Sequence, residues 1–458
     1  MNPLKQYLDL YRENRETIEQ SSTPVLNALR TNALTVLEKE GSRLPGKCDE
    51  GYEKTAVDEM FAPDYGVNIN GVKLPVDPSL TFKCDVPSVS TLLALVVGDT
   101  FIPTRTLLNN LPAGVTVTSL ADASRTMPET VEKFLGKIAN EDEAGVALNS
   151  LLVRDGLMVH VAEGVKAEKP IQIVNIFNTP VPTMAVRRVL VVAEENSSVK
   201  LLFCDHTQRD DTDYLDSQVI EVAVEAGAEV DICDIEESSP RTHRFSQLFT
   251  KQGNDSKLKV TGVTLVNGET RNNFTVKVEG NGCDTRLDGM AIGKASQSID
   301  NRTYLLHASD HCSSNQLFKY VLDDSSRGAF EGLIEVAKGA RFNEAYQSNR
   351  NILASKAARM HTKPQLLIYN DDVKCSHGAT TGQLDERAIF YMQQRGIPQN
   401  EARTMLMQAF MVDIIEKVSI EGLSDRLRHL VERRFRGEDA LCGDCSASCT
   451  PVTKKDNL

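Results

Sequence analysis

Asp371-Asp372-Val373-Lys374-Cys375-Ser376-His377-Gly378-Ala379-Thr380-Thr381-Gly382-Gln383-Leu384 stands where a long run of strand-like sequence stops and a block of helical sequence begins. On a strand, residues i and i+2 share a face, so Cys375 and His377 project together, about 7 Å apart. Thiolate and imidazole suit zinc, iron and iron–sulfur clusters. The small residues 378–382 behind them let another backbone or a cluster approach closely. A buried thiol beside a hydrogen-bonded imidazole at a strand end accounts for the same pair, and two donors alone do not complete a metal site.

Upstream, from 147 to 381, short alternating segments recur between Gly, Asn, Asp and Ser turns. They fall at 156–161, 170–177, 187–192, 199–203, 219–224, 229–232, 258–265, 273–278, 285–291, 328–336 and 365–368. Many short strands with almost no intervening helix predict an all-β solenoid, sandwich or barrel. The turns Ala226-Gly227-Ala228, Lys338-Gly339-Ala340 and Ser355-Lys356-Ala357-Ala358 suggest stacked coils. Periodicity by itself leaves sandwich and solenoid open.

Downstream, 386–395 reads as a helix ending at Gly396, a natural C-cap. Pro398 opens a second helix striped by Ala402, Leu406, Ala409, Phe410 and Ile414. A third follows Gly422, with Leu423, Leu427, Leu430, Val431 and Phe435. These helices either present a packing face to a partner or cover the open end of the β stack, and both can hold. At the other end, 3–39 reads as helix broken at Ser21-Ser22-Thr23-Pro24, with Thr23 as N-cap and Pro24 at the first helical position. Between them, 92–102 reads as strand, 111–121 as a turn and strand approaching a helix, and 129–139 as helix. The expected division is 1–80 N-terminal helical, 81–146 mixed α/β, 147–382 β core, 383–436 C-terminal helical and 437–458 a polar cysteine-containing tail.

A chain of 458 residues with a formal charge of −13 can bury a sizeable core and is ill suited to nucleic acid. Its longest apolar runs, such as 91–97 and 189–193, are strand-sized and too short to span a bilayer. The opening Met1-Asn2-Pro3-Leu4-Lys5 lacks the apolar core of a secretory signal. Ten cysteines in such a chain fit a reducing cytosol, so a cytoplasmic protein is expected.

Further constellations carry weaker chemistry. The tail holds Cys442, Cys445 and Cys449 in C-x2-C-x3-C spacing, able to wrap one soft metal or cluster, against the plainer reading of incidental thiols on a flexible segment. Gly289-Met290-Ala291-Ile292-Gly293-Lys294-Ala295 is one residue short of a phosphate loop and lacks the Ser or Thr after Lys, so nucleotide hydrolysis is not expected of this chain. His307 and His311-Cys312 share an i, i+4 relation that would align them on one face, with a structural role favoured. Cys204-Asp205-His206 brings together the residue types of a nucleophilic site, but neighbours on a strand face opposite ways. The acidic pairs Asp210-Asp211, Asp323-Asp324 and Asp371-Asp372 suit turns; they would also suit a carbohydrate-active β-helix enzyme of the polysaccharide-lyase type, the alternative function.

The segment Lys363-Pro364-Gln365-Leu366 through Tyr369, with 371–380 and Gly382-Gln383-Leu384-Asp385, closely resembles the SufB/SufD family of iron–sulfur cluster assembly scaffolds. The last four residues are similar to the SufD branch rather than SufB. The likeness continues in Leu148-Asn149, Asp155-Gly156, Lys169-Pro170-Ile171, Phe330-Glu331-Gly332, Val336-Ala337-Lys338-Gly339-Ala340 and Asn349-Arg350-Asn351. It is partial near the N-terminus, where Tyr52-Glu53-Lys54-Thr55 stands in place of the family's Trp-Lys-Tyr-Thr. The resemblance implies a right-handed parallel β-helix core flanked by helical segments, acting as a non-catalytic scaffold. It also implies a SufB-like paralogue as partner, a SufC-like ABC-type ATPase docked on the C-terminal helices, and a transient iron–sulfur cluster at the subunit interface. His377 is then the expected ligand, with Cys375 beside it as second choice.

Overall fold

The computed structural model describes residues 3–72 and 90–438. Its strands are β1 (Gly66–Val67), β2 (Leu92–Val97), β3 (Thr100–Pro103), β4 (Val115–Ser119), β5 (Leu157–Val161), β6 (Ile171–Phe177), β7 (Thr183–Ala193), β8 (Ser198–Thr207), β9 (Tyr214–Val224) and β10 (Glu229–Glu237). They continue as β11 (Thr242–Gln252), β12 (Lys257–Val266), β13 (Glu269–Val278), β14 (Asp284–Gly293), β15 (Ser298–His307), β16 (Ser313–Leu322), β17 (Arg327–Val336), β18 (Glu344–Leu353), β19 (Arg359–Ile368) and β20 (Lys374–Gln383). From β5 onward, odd strands pair in parallel with odd and even with even, so each coil of chain adds one strand to each of two facing sheets. The result is a parallel β-solenoid of about eight turns, flanked by N- and C-terminal helices. Register partners lie 26 residues apart at His243↔Glu269 and 32 apart at Arg327↔Arg359, a spacing of one coil.

Stacking puts like positions over one another. One interior column runs Ile171, Leu201, Ile232, Val260, Leu287, then Gln316, Gln347 and His377. Its aliphatic part belongs to the core cluster between the sheets. Each fully buried Leu, Ile or Val there contributes about 1.5–3 kcal/mol. The turn alanines Ala228, Ala340 and Ala358 are all buried, and the intervening Gly227 and Gly339 have φ of +65° and +94°. That backbone costs any residue with a Cβ.

Several strands were not legible: β11, β15, β16 and β18 carry polar residues on the inward face. Inside the solenoid these pair with each other, as in Asn301 Nδ2 to Tyr320 Oη at 2.6 Å and Thr303 Oγ1 to Gln316 Oε1 at 2.7 Å. The segment expected as one strand over 92–102 is a hairpin, β2 and β3 pairing antiparallel around Gly98 and Asp99. Because β2 pairs in parallel with β6, the even sheet already begins ahead of residue 147, and 147 itself lies within the helix Ala144–Leu152. The helices Pro3–Gln20 and Pro24–Leu37 meet at the expected break, where Thr23 Oγ1 accepts from the Leu26 amide.

The C-terminal helices Glu386–Gln394, Gln399–Ile415 and Leu423–Arg436 do not cover the end of the stack. They lie along the outer face of the even sheet, where Cys204, Cys233, Ile235, Leu265, Met290 and Ile292 form an apolar stripe that Met411, Ile414, Leu427 and Val431 bury. Polar contacts pin them there: Lys417 Nζ reaches Asp288 Oδ1 at 2.7 Å, and Arg403 Nη2 the Ala354 carbonyl at 2.6 Å. An uncovered apolar sheet face outweighs an uncovered end, and that decides where the helices go.

Candidate functional site at the open end of the solenoid

The last rung is β19 and β20. Among the described residues neither has a further strand on its outer side, and their residues are mostly exposed or half-buried. Cys375 and His377 face the same way on β20, as expected, and the register shows which way. Cys375 ends the interior column Val199, Val230, Leu258, Thr285, Ser314, Ala345, and His377 ends the column that passes through Gln316 and Gln347. Both therefore cap the solenoid interior. The Cys375 thiol is half-buried against the core, and burial pushes its pKa up, so in the free chain it holds its proton. His377 is exposed.

Lower rungs show what these positions face. Thr303 donates to Gln316, and His307 Nε2 lies 2.9 Å from Ser314 Oγ. Carried up by register, these pairs become Pro364 opposite His377 and Ile368 opposite Cys375. Gln347, directly beneath His377, donates to Gln316 Oε1 at 3.2 Å and leaves its own buried Oε1 without a partner. It reaches toward the opposite sheet because residue 332 is glycine: a Cβ there would stand 2.2 Å from Gln347 Nε2. Gln316, Gln347 and Gly332 were not singled out from sequence as site residues, although Gly332 stands within one of the quoted segments. Thr362 Oγ1 on β19 is likewise buried with no partner among the described residues. The end of the solenoid thus offers one thiol, one imidazole and unsatisfied polar oxygens beneath and beside them. Among the described residues no group of three or more His, Cys, Asp or Glu is placed to hold a metal.

The other sequence-flagged residues are accounted for elsewhere. Cys442, Cys445 and Cys449 lie outside the described residues. Cys204 packs under the C-terminal helices, while Asp205 points inward to Arg187 and Arg244, so the Cys-Asp-His run is split between two faces. His307 and His311 do not share a face. β15 ends at His307, whose pKa burial lowers to about 4, and His311 sits in the following turn at φ +58°, stacked on Phe342. Gly293 ends β14 with no helix after it; Gly289 is bare because Phe318 occupies the space of its Cβ. Asp324 lies in a turn at φ +50°, and Asp211 is held by Arg209. Among the described residues no helix is long and apolar enough to cross a membrane.

Comparison with known proteins agrees with this architecture. The family model described as SUF system FeS cluster assembly, SufBD core domain, matches residues 175–410, and that of the SufBD protein N-terminal region matches residues 1–173. An iron–sulfur cluster assembly SufBD family protein of Synechocystis is 28% identical over 402 residues, covering 86% of this chain and 88% of the relative. The iron–sulfur cluster assembly protein SufD of Escherichia coli is 30% identical over 282 residues, 61% of this chain and 63% of its own length. SufD of Bacillus subtilis is 27% identical over 326 residues, 70% and 74% of the two chains. These matches displace the carbohydrate-active reading, and the chain belongs to the SufBD family of the SUF iron–sulfur cluster assembly system.

Proposed function

We propose that this chain is a SufD-like scaffold subunit of a cytosolic SUF complex, joined to a SufB-like paralogue at the open end of its solenoid. The observation that carries this is the uncovered last rung. An unpaired strand edge is a template for another chain, and here it adjoins Leu367, Ile368 and Tyr369, 42%, 41% and 58% exposed. His377 and Cys375 stand at that junction and offer two ligands to a cluster handled as cargo, the remaining ligands coming from the partner. A neutral imidazole anchors a cluster less firmly than a thiolate, which favours release to an acceptor. The C-terminal helices dock a SufC-like ABC-type ATPase, which alone hydrolyses ATP; Phe390, Tyr391 and Met405, at 62%, 60% and 42% exposure, supply an apolar patch for it. The Cys442, Cys445, Cys449 triplet is a second candidate metal contact.

The test is anaerobic co-expression with SufB-like and SufC-like partners, then sizing with iron and sulfide analysis. The reading expects one complex, with iron and sulfide reduced in His377→Ala while the complex stays intact. Full cluster yield from that variant removes the ligand assignment, and failure to co-elute with the paralogue removes the scaffold assignment. Loss of iron in the triplet variant alone would transfer the ligand role to the tail.

A further inference from the structure

On the outer face of the odd sheet, far along the chain from the last rung, a cleft of about 640 Å³ opens between β11, β13 and β15 and the segments 43–52 and 140–145. Small-molecule sites commonly have this volume. Gly145 brings the start of the helix Ala144–Leu152 down onto the sheet, since a Cβ there would stand 2.6 Å from Phe245 Cε1. The cleft is therefore walled by backbone as well as by side chains.

Its charges are unevenly satisfied. Arg43 at the rim is engaged by Asp49. Lys277 and Arg302, both half-buried in the lining, make no ion pair among the described residues. Lys277 also stands beside Lys251 across the sheet, and Lys251 is taken up by Glu279 at 2.6 Å. Arg302 stands beside Glu331 across the sheet, and its Cζ lies 6.0 Å from the ring centre of Tyr52, which also carries Arg271 Cζ at 4.5 Å. Tyr304, whose hydroxyl donates to Glu335 Oε2 at 2.8 Å, follows on the same face of β15. The carboxyl in the lining is Glu143, which accepts from Asn140 Nδ2 at 3.1 Å and Gln247 Nε2 at 3.3 Å. Two cations without an ion pair among the described residues, two half-exposed phenol rings and one oriented carboxyl suit a ligand with an anionic end and a flat end bearing a donor.

We propose that this cleft binds a small phosphorylated molecule with a flat, amino-bearing heteroaromatic ring, of the nucleotide class. Lys277 and Arg302 hold the phosphate, Tyr52 and Tyr304 flank the ring, and Glu143 accepts from the ring amine. Binding here involves no hydrolysis.

The test titrates AMP, adenosine and inorganic phosphate calorimetrically into the purified full chain, without partners or iron, so its outcome is independent of the scaffold reading. AMP should saturate one site, with adenosine and phosphate each at least about tenfold weaker. Lys277→Met and Arg302→Gln should each weaken AMP by about tenfold or more, while Lys374→Met at the far end leaves it unchanged. Among the described residues neither lining cation holds an ion pair, so both variants should melt within a few degrees of the parent, and a thermal melt checks this. Absent saturable AMP binding, or affinity unchanged in both variants, overturns the proposal; phosphate binding as tightly as AMP overturns the role of the rings.

Discussion

Replacing Glu221 by Gln tests how the N-terminal segments are tied to the solenoid. Glu221 lies on β9 with no exposed surface, and its carboxylate accepts from Arg188 Nε at 3.1 Å and Nη2 at 2.6 Å. It also accepts from the amides of Gly136, Ile138 and Ala139, at 3.0, 3.1 and 3.0 Å. One side chain thus neutralises a buried guanidinium and holds three amides of the turn after the helix Pro128–Phe134. Glutamine keeps the shape but loses the charge, and its amide group must face one set of donors with a donor of its own. Breaking one partner of a buried ion pair costs about 3–5 kcal/mol. Arg188 keeps Glu141 at 2.6 Å, so the low end applies, about 3 kcal/mol. If the opening is local, exchange of the three amides should speed up by about a hundredfold. Hydrogen exchange resolved over residues 128–152 measures this directly, with urea unfolding as the global check. A loss under about 1 kcal/mol with unchanged exchange would falsify the view that this carboxylate anchors the turn.

Three other perturbations follow from the same geometry. Burial pushes Glu236 up to about 8 and Asp216 to about 7; Arg187 opposes the shift most at Asp216 and Arg244 at Glu236, while Asp205 and Asp234 add to both. An unfolded carboxyl titrates near 4, so the folded state holds these protons longer. Their contribution is then complete below about pH 4 and lost as pH rises through 7 and 8. Glu236→Gln should flatten that decline and leave the chain more stable than the parent at pH 8; equal pH slopes in urea titrations would count against it. Gly289→Ala places a Cβ 2.2 Å from Phe318 Cδ1 and should cost about 1–3 kcal/mol. Phe318→Leu in the same chain should recover part of that, and a neutral Gly289→Ala melt would contradict the close approach. Phe390→Glu with Tyr391→Glu should abolish co-elution with the ATPase while leaving the melting temperature within a few degrees; retained co-elution would place the ATPase elsewhere.

Sequence and structure divide the molecule along physical lines. Local chemistry was readable: Thr23-Pro24 starts a helix because a side-chain oxygen and a fixed φ act within four residues. Gly227 and Gly339 mark coil turns because only glycine takes their backbone cheaply. Strands with aliphatic inward faces, such as 199–203 and 229–232, were readable for the same reason. Cys375 and His377 were legible as a pair because strand alternation is local. What stayed hidden depends on stacking. Asn301, Gln316 and Gln347 look like surface residues until the coil places each beside a polar neighbour one rung away or across the interior, which offsets part of the cost of burying them. Nor does a stripe at helical spacing say what it covers. Only the closed stack shows that the even sheet's outer face is apolar and draws Met411, Ile414 and Leu427 onto it, leaving the last rung bare. The position of His377 at the top of an interior column is a consequence of register summed over every coil below it, and no stretch of sequence contains that sum.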